Sequence, residues 1–270
     1  MSSDRSPFVK WAGGKRRLVP FIAGRQSLAQ GDDSSVGSPD GSCGRLEEAA
    51  ARWPRKRLVE PFAGGAAFSL AMADQFESIW LNDVNADLIN VYVQLRSEPE
   101  KYIRDAATLF TPEMNTAEAY YRLRERFNTT TSSWEKAVVF LYLNRHGYNG
   151  LCRYNASGLF NVPYGRYKRP YFPEEELRAA AVVLQKAELT CLDFEEVLAG
   201  CGPGDVVYCD PPYVPLSPTA SFTDYAAGGF DMADQRRLVR AAEQARRRGA
   251  LVAISNHDNQ VTRELYRHAD

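Results

Sequence analysis

The chain has no apolar run that approaches membrane-spanning length; AVVFLYL at 137–143 is only long enough for a buried helix or strand piece. Its first residues, MSSDRSPFVK, lack the apolar stretch of a secretion signal. Histidine is scarce: there are three, none near a partner ligand in sequence, which argues against a metal enzyme. The five cysteines, Cys43, Cys152, Cys191, Cys201 and Cys209, show no paired metal spacing. An odd, scattered set of this kind fits free thiols in a reducing cytoplasm. Net charge is also nearly absent, at −1, which argues against a generic nucleic-acid binder. What remains is an ordinary globular composition, 44% hydrophobic and 25% charged over 270 residues. That length fits one large α/β domain, or one such domain with a smaller insert.

Charge is uneven along the chain. No acid lies between Glu135 and Glu174, whereas Lys136, Arg145, Arg153, Arg166, Lys168 and Arg169 all fall there, among nine aromatic residues from Phe140 to Phe172. A second acid-free basic stretch runs from Arg5 to Arg25. Basic patches with interleaved aromatics imply a polyanion docked on one face; a solvated loop beside an aromatic core is the blander reading. Residues 28–45, rich in Gly, Ser and Asp, read as a flexible surface loop.

Strands are expected at 57–62, 78–83, 187–194, 206–209 and 250–258. Helices are expected over 66–75, over 86–96 behind a capping Asn85, over 174–187, and over 231–249, the last closed by Gly249. Helical periodicity dominates from Pro99 to Asn144, and the stretch from Asn144 to Phe172 reads as an ordered loop or hairpin on that helical base. Strands alternating with helices imply an α/β fold, a doubly wound and mostly parallel sheet, interrupted by a mostly helical second domain.

Two strand ends carry the chemistry. In LVEPFAGGAAF, Gly64 and Gly65 let a ligand approach the backbone where a strand passes into a helix. Asp83 follows Gly64 by 19 residues, near the spacing at which an acid accepts ribose hydroxyls. The loop does not match G-x-G-x-x-G, so a nucleoside without a pyrophosphate fits better than a nicotinamide dinucleotide. In GDVVYCDPPYVPLS, Asp210 ends an apolar strand, and Pro211 and Pro212 form a rigid turn with no N–H donors. Asp210 and a proline carbonyl make a pair of acceptors for an exocyclic amine, and Tyr213 offers a face on which a heterocycle can stack. For DPP alone, a capped turn would be the better reading; with Tyr213, the glycine turn and Asp83, a functional site is favoured.

FVKWAGGK, VEPFAGG, LNDVNADL, YLNRHGYNGLCRYN, FNVPYGRYKRPYF, VVYCDPPYVPLS and ISNHD resemble, in this order, Dam-type DNA adenine-N6 methyltransferases. The likeness spans nearly the whole chain outside 28–45. It implies a Rossmann-like methyltransferase fold, with residues 1–95 and 175–270 as the catalytic domain and 96–174 as an inserted target-recognition domain. It also implies S-adenosyl-L-methionine as cofactor and double-stranded DNA as partner, with methyl transfer to N6 of a flipped adenine within GATC. Further implications are a cytoplasmic monomer of prokaryotic or phage origin, no metal and no membrane. By resemblance, Trp11, Gly13, Lys15, Pro61, Phe62, Gly64, Asp83, Asp193, Phe194 and Asp210 would serve the cofactor. Asp210, Pro211, Pro212 and Tyr213 would hold the target base. Lys10 and Arg153 would read guanines, Leu151 and Pro163 would touch a thymine methyl, and Tyr148 would insert where the base leaves. Asn149, Asn155, Tyr167 and Lys168 would contact the DNA backbone.

The sequence departs from the family at two places. The family's loop reads F-x-G-x-G, but Ala66 holds its last position here. The chain also stops soon after ISNHD, where family members continue into further strands, which would leave a sheet edge open. Two alternatives therefore stay open: a DNA-binding module impaired in catalysis, and an amino-methyltransferase acting on RNA or a protein glutamine. An acid at position 210 favours adenine, because related enzymes acting on glutamine or cytosine usually carry Asn or Ser there.

Overall fold

The computed structural model describes residues 5–11, 56–213 and 229–267. The expected loop at 28–45, with Gly13 and Lys15, lies outside the described residues.

Five parallel strands form one sheet: β1 (Arg57–Glu60), β2 (Ser78–Asn82), β3 (Ala187–Thr190), β4 (Asp205–Cys209) and β5 (Leu251–Ile254), in the order β3-β2-β1-β4-β5. The central strands β1, β2 and β4 are buried on both faces, which is why they read as runs rather than as alternating patterns, and the edge strands β3 and β5 are partly exposed. Neighbouring residues still point opposite ways. Val59 and Val207 join Trp80 and Cys209 in the core beneath α7 (Phe194–Ala199) and α8 (Met232–Arg247). Leu58, Val206 and Tyr208 face the other way, onto Phe68 and Met72 of α1 (Ala67–Met72). At the N-terminal ends of the central strands, Arg57 makes a two-point ion pair with Asp205 at 2.9 and 2.8 Å.

The helical region is built on the same core. α2 (Ala86–Ser97) begins at Asn85, whose side chain accepts from Leu88 N at 3.0 Å as expected. α3 (Pro99–Ala107), α4 (Ala117–Thr129) and α5 (Ser133–His146) follow. The run AVVFLYL is the centre of α5, which is buried from Ala137 through His146 because α2, α3 and α4 pack around it. A helix buried on all sides has no amphipathic period, so its type was ambiguous in sequence. The largest core cluster runs without a break from Leu81 and Leu88 to Tyr102, Tyr120 and Phe140.

Boundaries depart modestly from expectation. The helix expected over 66–75 divides into α1 and a 3₁₀ turn over Ala73–Gln75. The helix expected over 174–187 is α6 (Glu174–Leu184), which ends early because Ala187 already pairs with Ile79 in the sheet. Gly249 does close α8, at φ 100°. A final helix, α9 (Gln260–Leu265), begins at a capping Asn259.

Candidate active site and nucleic-acid interface

The chain runs outward from β1 to β3 on one side and then returns to β4 and β5 on the other. The reversal falls between β1 and β4, and open α/β sheets bind their ligands in the crevice at the strands' C-terminal ends there. Asp210 sits at that end of β4. The Ser255 hydroxyl, just beyond β5, donates to Asp210 Oδ1 at 2.8 Å, while Ser255 N donates to Cys209 O at 2.9 Å. The carboxylate is thus oriented by the neighbouring strand. Tyr213 meets His257 edge-on, with ring centroids 4.7 Å apart.

Glu60 ends β1 beside this point, is 3% exposed, and accepts Ser69 N at 3.0 Å in the first turn of α1. Burial pushes its carboxyl up to about 8, with the charge of Asp210 adding to the rise and Ser69 opposing it. Next comes the glycine turn. Gly64 has φ +47°, and a Cβ there would lie 2.6 Å from Trp11 Cδ1, so glycine permits the indole to cover the backbone. Ala66 adopts φ 54°, ψ 32°, the left-handed region, and begins α1.

Asp83 fastens this turn to β2. Its Oδ2 accepts Gly64 N at 2.9 Å and its Oδ1 accepts Asn85 N at 2.9 Å. Burial raises its pKa and the two backbone donors oppose the rise. Each oxygen keeps a second lone pair for a hydroxyl donor. The amide of Asn82 reaches Pro61 O and Leu192 O, both at 3.0 Å, so β1, β2 and the loop after β3 are held together. Beside the buried acid stands Val84, 69% exposed, with Leu192 at 36%. Phe62, Phe194 and Phe230 form a trio with centroids 5.3 to 5.7 Å apart. Arg237 caps Phe194 at 4.8 Å and ion-pairs with Asp193, Glu195 and Asp234. Asp193 also caps α7 by accepting Glu195 N at 2.8 Å.

The loop from Gly147 to Gly165 is a hairpin pinned by two antiparallel bridges, Gly147 with Tyr164 and Tyr154 with Phe160. Lys10 joins it from the N-terminal segment. Lys10 N donates to Asn144 Oδ1 at 2.7 Å, and its ammonium sits 4.1 Å over the Tyr167 ring. Burial, then the charge of Arg145, lowers the Lys10 pKa. Tyr167 OH accepts Asn149 N at 3.0 Å, and Asn115 holds the carbonyls of Tyr167 and Lys168. Tyr148 is 51% exposed, and its N donates to Pro163 O at 2.9 Å. Lys10, Tyr148, Asn149, Pro163, Tyr167 and Lys168 are therefore one contiguous group. Arg153 is exposed further along the hairpin, its Nε donating to Asn161 Oδ1 at 2.8 Å. The side-chain oxygen of Asn155 accepts Ser157 N and Leu159 N, shaping the tip of the hairpin.

Sequence reasoning did not assign Val84, Phe230, Gln235, Arg237 or Ser255. ISNHD pointed toward Ser255, and an exposed valine directly after the acid could have marked Val84. Among the described residues, no group of three or more His, Cys, Asp or Glu is placed to hold a metal ion. Nor is any described helix long and apolar enough to cross a membrane.

Comparison with known proteins meets this geometry. A family model of D12 class N6 adenine-specific DNA methyltransferases matches residues 46–270. The chain is 45% identical over 270 residues to the DNA adenine methylase of Serratia marcescens, covering 100% of this chain and 89% of that protein. It is 44% identical over 269 residues to the DNA adenine methylase of Escherichia coli strain K12, covering 100% and 86%. A match across this much of the chain, on a parallel sheet whose β4 leads directly into DPPY, means that it belongs to the D12 class N6 adenine-specific DNA methyltransferases.

Proposed function

We propose that this adenine-specific DNA methyltransferase uses S-adenosyl-L-methionine and acts on the adenine of GATC in duplex DNA. The observation that carries the reading is the placement of Asp210, oriented by Ser255, at the same sheet end as the Gly64–Asp83 pair. An acceptor for an amine and an acceptor for a nucleoside's hydroxyls thereby share one crevice.

The residues suit the cofactor chemically. Buried Asp83 has lone pairs for ribose hydroxyls, and Val84, Leu192, Phe62 and Phe194 supply apolar surface for an adenine ring. Asp193 lies next to Phe194, and Trp11, Pro61 and Gly64 form the floor on the β1 side, the side on which Gly13 and Lys15 are proposed to act. When bound, S-adenosyl-L-methionine supplies an electrophilic methyl group on a sulfonium.

The target adenine leaves the stack, at a cost of a few kcal/mol, to enter the crevice. There, Asp210 and the Pro211 carbonyl accept hydrogen bonds from N6, drawing the nitrogen lone pair out of ring conjugation toward the methyl. Pro212 keeps the turn rigid and Tyr213 stacks on the base. Positioning and electrostatics do this work.

The hairpin reads the site. Arg153 pairs with a guanine, Lys10 with the outer guanine, and Leu151 and Pro163 with a thymine methyl. Tyr148 fills the vacated stack, while Asn149, Asn155, Tyr167 and Lys168 set register on the phosphates. Residues 1–95 and 175–270 act as the catalytic domain and 96–174 as the recognition domain. A single chain carries all three sites, so we read the working unit as a monomer.

Calorimetric titration tests the donor assignment. S-adenosyl-L-methionine should bind the protein and raise its Tm, and Asp83→Ala should weaken binding at least about tenfold, one lost charge-assisted hydrogen bond being worth about 1.5–3 kcal/mol. No binding by the folded protein would refute it.

A further inference from the structure

Gln235 enters the site from α8, the helix that also carries Arg237. It lies in the first turn of α8 and is 2% exposed. Its Nε2 donates to the carbonyl of Pro212, the second proline of the turn, at 2.8 Å. Its Oε1 accepts Asn256 Nδ2 and Tyr266 OH, each at 3.3 Å. A carbonyl can only accept, so the NH₂ of the amide has to face Pro212 and its oxygen has to face the two donors. One buried amide thus joins four pieces of chain: the turn after β4, α8, the loop after β5 and the end of α9.

The turn gives this contact its value. Two consecutive prolines remove both N–H groups by which a turn would ordinarily be tied to its surroundings. Carbonyls remain as the backbone handles, and the Pro211 carbonyl is the one proposed to hold N6. A tether on the Pro212 carbonyl therefore sets where its neighbour points without competing for substrate. Burial of Gln235 strengthens the tether, because its amide has no solvent to turn to if the Pro212 carbonyl is lost as an acceptor.

We propose that Gln235 is a positioning residue for methyl transfer, fixing the Asp210–Tyr213 turn by holding the Pro212 carbonyl, with Tyr266 and Asn256 holding Gln235 in turn. This rests on the reading of that turn as the base-holding site. The helix α9 and Tyr266 thereby become part of the catalytic framework.

The test uses the full chain and a GATC duplex. Gln235→Glu retains length and the acceptor but loses the NH₂ donor, and Tyr266→Phe loosens Gln235 while leaving the Pro212 contact possible. Single-turnover transfer should fall about 10–100-fold in Gln235→Glu, the cost of slight misplacement of a reacting group, and by a smaller factor in Tyr266→Phe. Affinities for S-adenosyl-L-methionine and for the duplex should both stay within about twofold, since neither contact touches donor or DNA backbone. A transfer rate at the unmutated level in Gln235→Glu would overturn the inference. So would parallel loss of rate, both affinities and Tm in both variants, which would mark Gln235 as structural only. Asp210→Ala runs alongside. If it stays active, the reading of the turn has failed; if it is inactive while Gln235→Glu is unimpaired, only the present inference has failed.

Discussion

Tyr154 and Asp87 join the Gly147–Gly165 hairpin to the first turn of α2, just beyond Asp83: the tyrosine hydroxyl donates to Asp87 Oδ2 at 2.7 Å across 67 residues of sequence. Lys136 pairs with the other oxygen of the same carboxylate at 3.0 Å. Two residues earlier in the hairpin, Cys152 Sγ accepts from Asn85 Nδ2 at 3.3 Å. The hairpin therefore alternates. Arg153 is exposed, while Cys152 is buried and Tyr154 half-buried against the turn that follows Asp83.

Removing that bond should loosen both ends. Tyr154→Phe should lower unfolding free energy by about 1.5–3 kcal/mol, the range for a hydrogen bond to a charged group. It should also narrow the ratio of methylation rates between GATC and a duplex changed at the guanine assigned to Arg153. Denaturant unfolding and paired rate measurements check the two effects.

Arg153 itself makes a sharper prediction. With Nε committed to Asn161 at 2.8 Å, the guanidinium is held from behind. Arg153→Lys keeps the charge but loses the fork, so discrimination for guanine at one position should drop by about 1–3 kcal/mol. Affinity for S-adenosyl-L-methionine should stay unchanged, and a uniform loss across all sequences would show a backbone contact instead.

Ala66 tests how the glycine loop tolerates a methyl group. Left-handed φ costs a non-glycine residue about 1–2 kcal/mol. Against this, the methyl is buried, 1% exposed, and worth about 0.8 kcal/mol. Alanine also spares the extra unfolded-state entropy of glycine, about 0.4–1 kcal/mol. These terms nearly cancel, so Ala66→Gly should change stability by less than about 0.5 kcal/mol. Ala66→Val, branched at Cβ with the same φ of 54°, should cost more than about 2 kcal/mol in denaturant unfolding.

Glu60 makes stability depend on pH. Its folded-state pKa of about 8 lies above the ordinary 4.5, so the folded chain holds this proton more tightly than the unfolded chain. The contribution is complete below about pH 4.5 and is lost as pH rises toward 8, with a slope of at most about 1.4 kcal/mol per pH unit. Glu60→Gln should flatten that decline. The variant's Tm should exceed that of the unmodified protein at pH 8 but not at pH 5; equal shifts at both would contradict the assignment.

The parts of the site that lie at strand ends were legible. Asp210 and Asp83 each directly follow a strand, so the end of the strand fixes both the position and the direction of the side chain, while Gly64 is marked by the glycine turn after β1. The parts contributed by α8 were harder to read. Gln235 is polar, and its place on a buried stripe with Leu238, Ala242 and Ala245 is the one signal that could have exposed it. Arg237 resembles any other arginine in RRLVR until the fold brings Phe194 beneath it. Ser255 lies within ISNHD but has no chemistry of its own until β5 lies beside β4. Asn155 shows the reverse: its oxygen already serves the hairpin, so any DNA contact falls to the amide nitrogen.

The most direct measurement of the central claim is transfer of labelled methyl from S-adenosyl-L-methionine to two duplexes identical except for GATC in one and GTTC in the other, with Asp210→Ala as the control enzyme. The account predicts N6-methyladenine in the GATC duplex alone, with the signal abolished in the variant. Equal incorporation into other adenines of both duplexes would contradict the reading assigned to the hairpin. Undiminished incorporation by Asp210→Ala would contradict the chemistry assigned to the crevice.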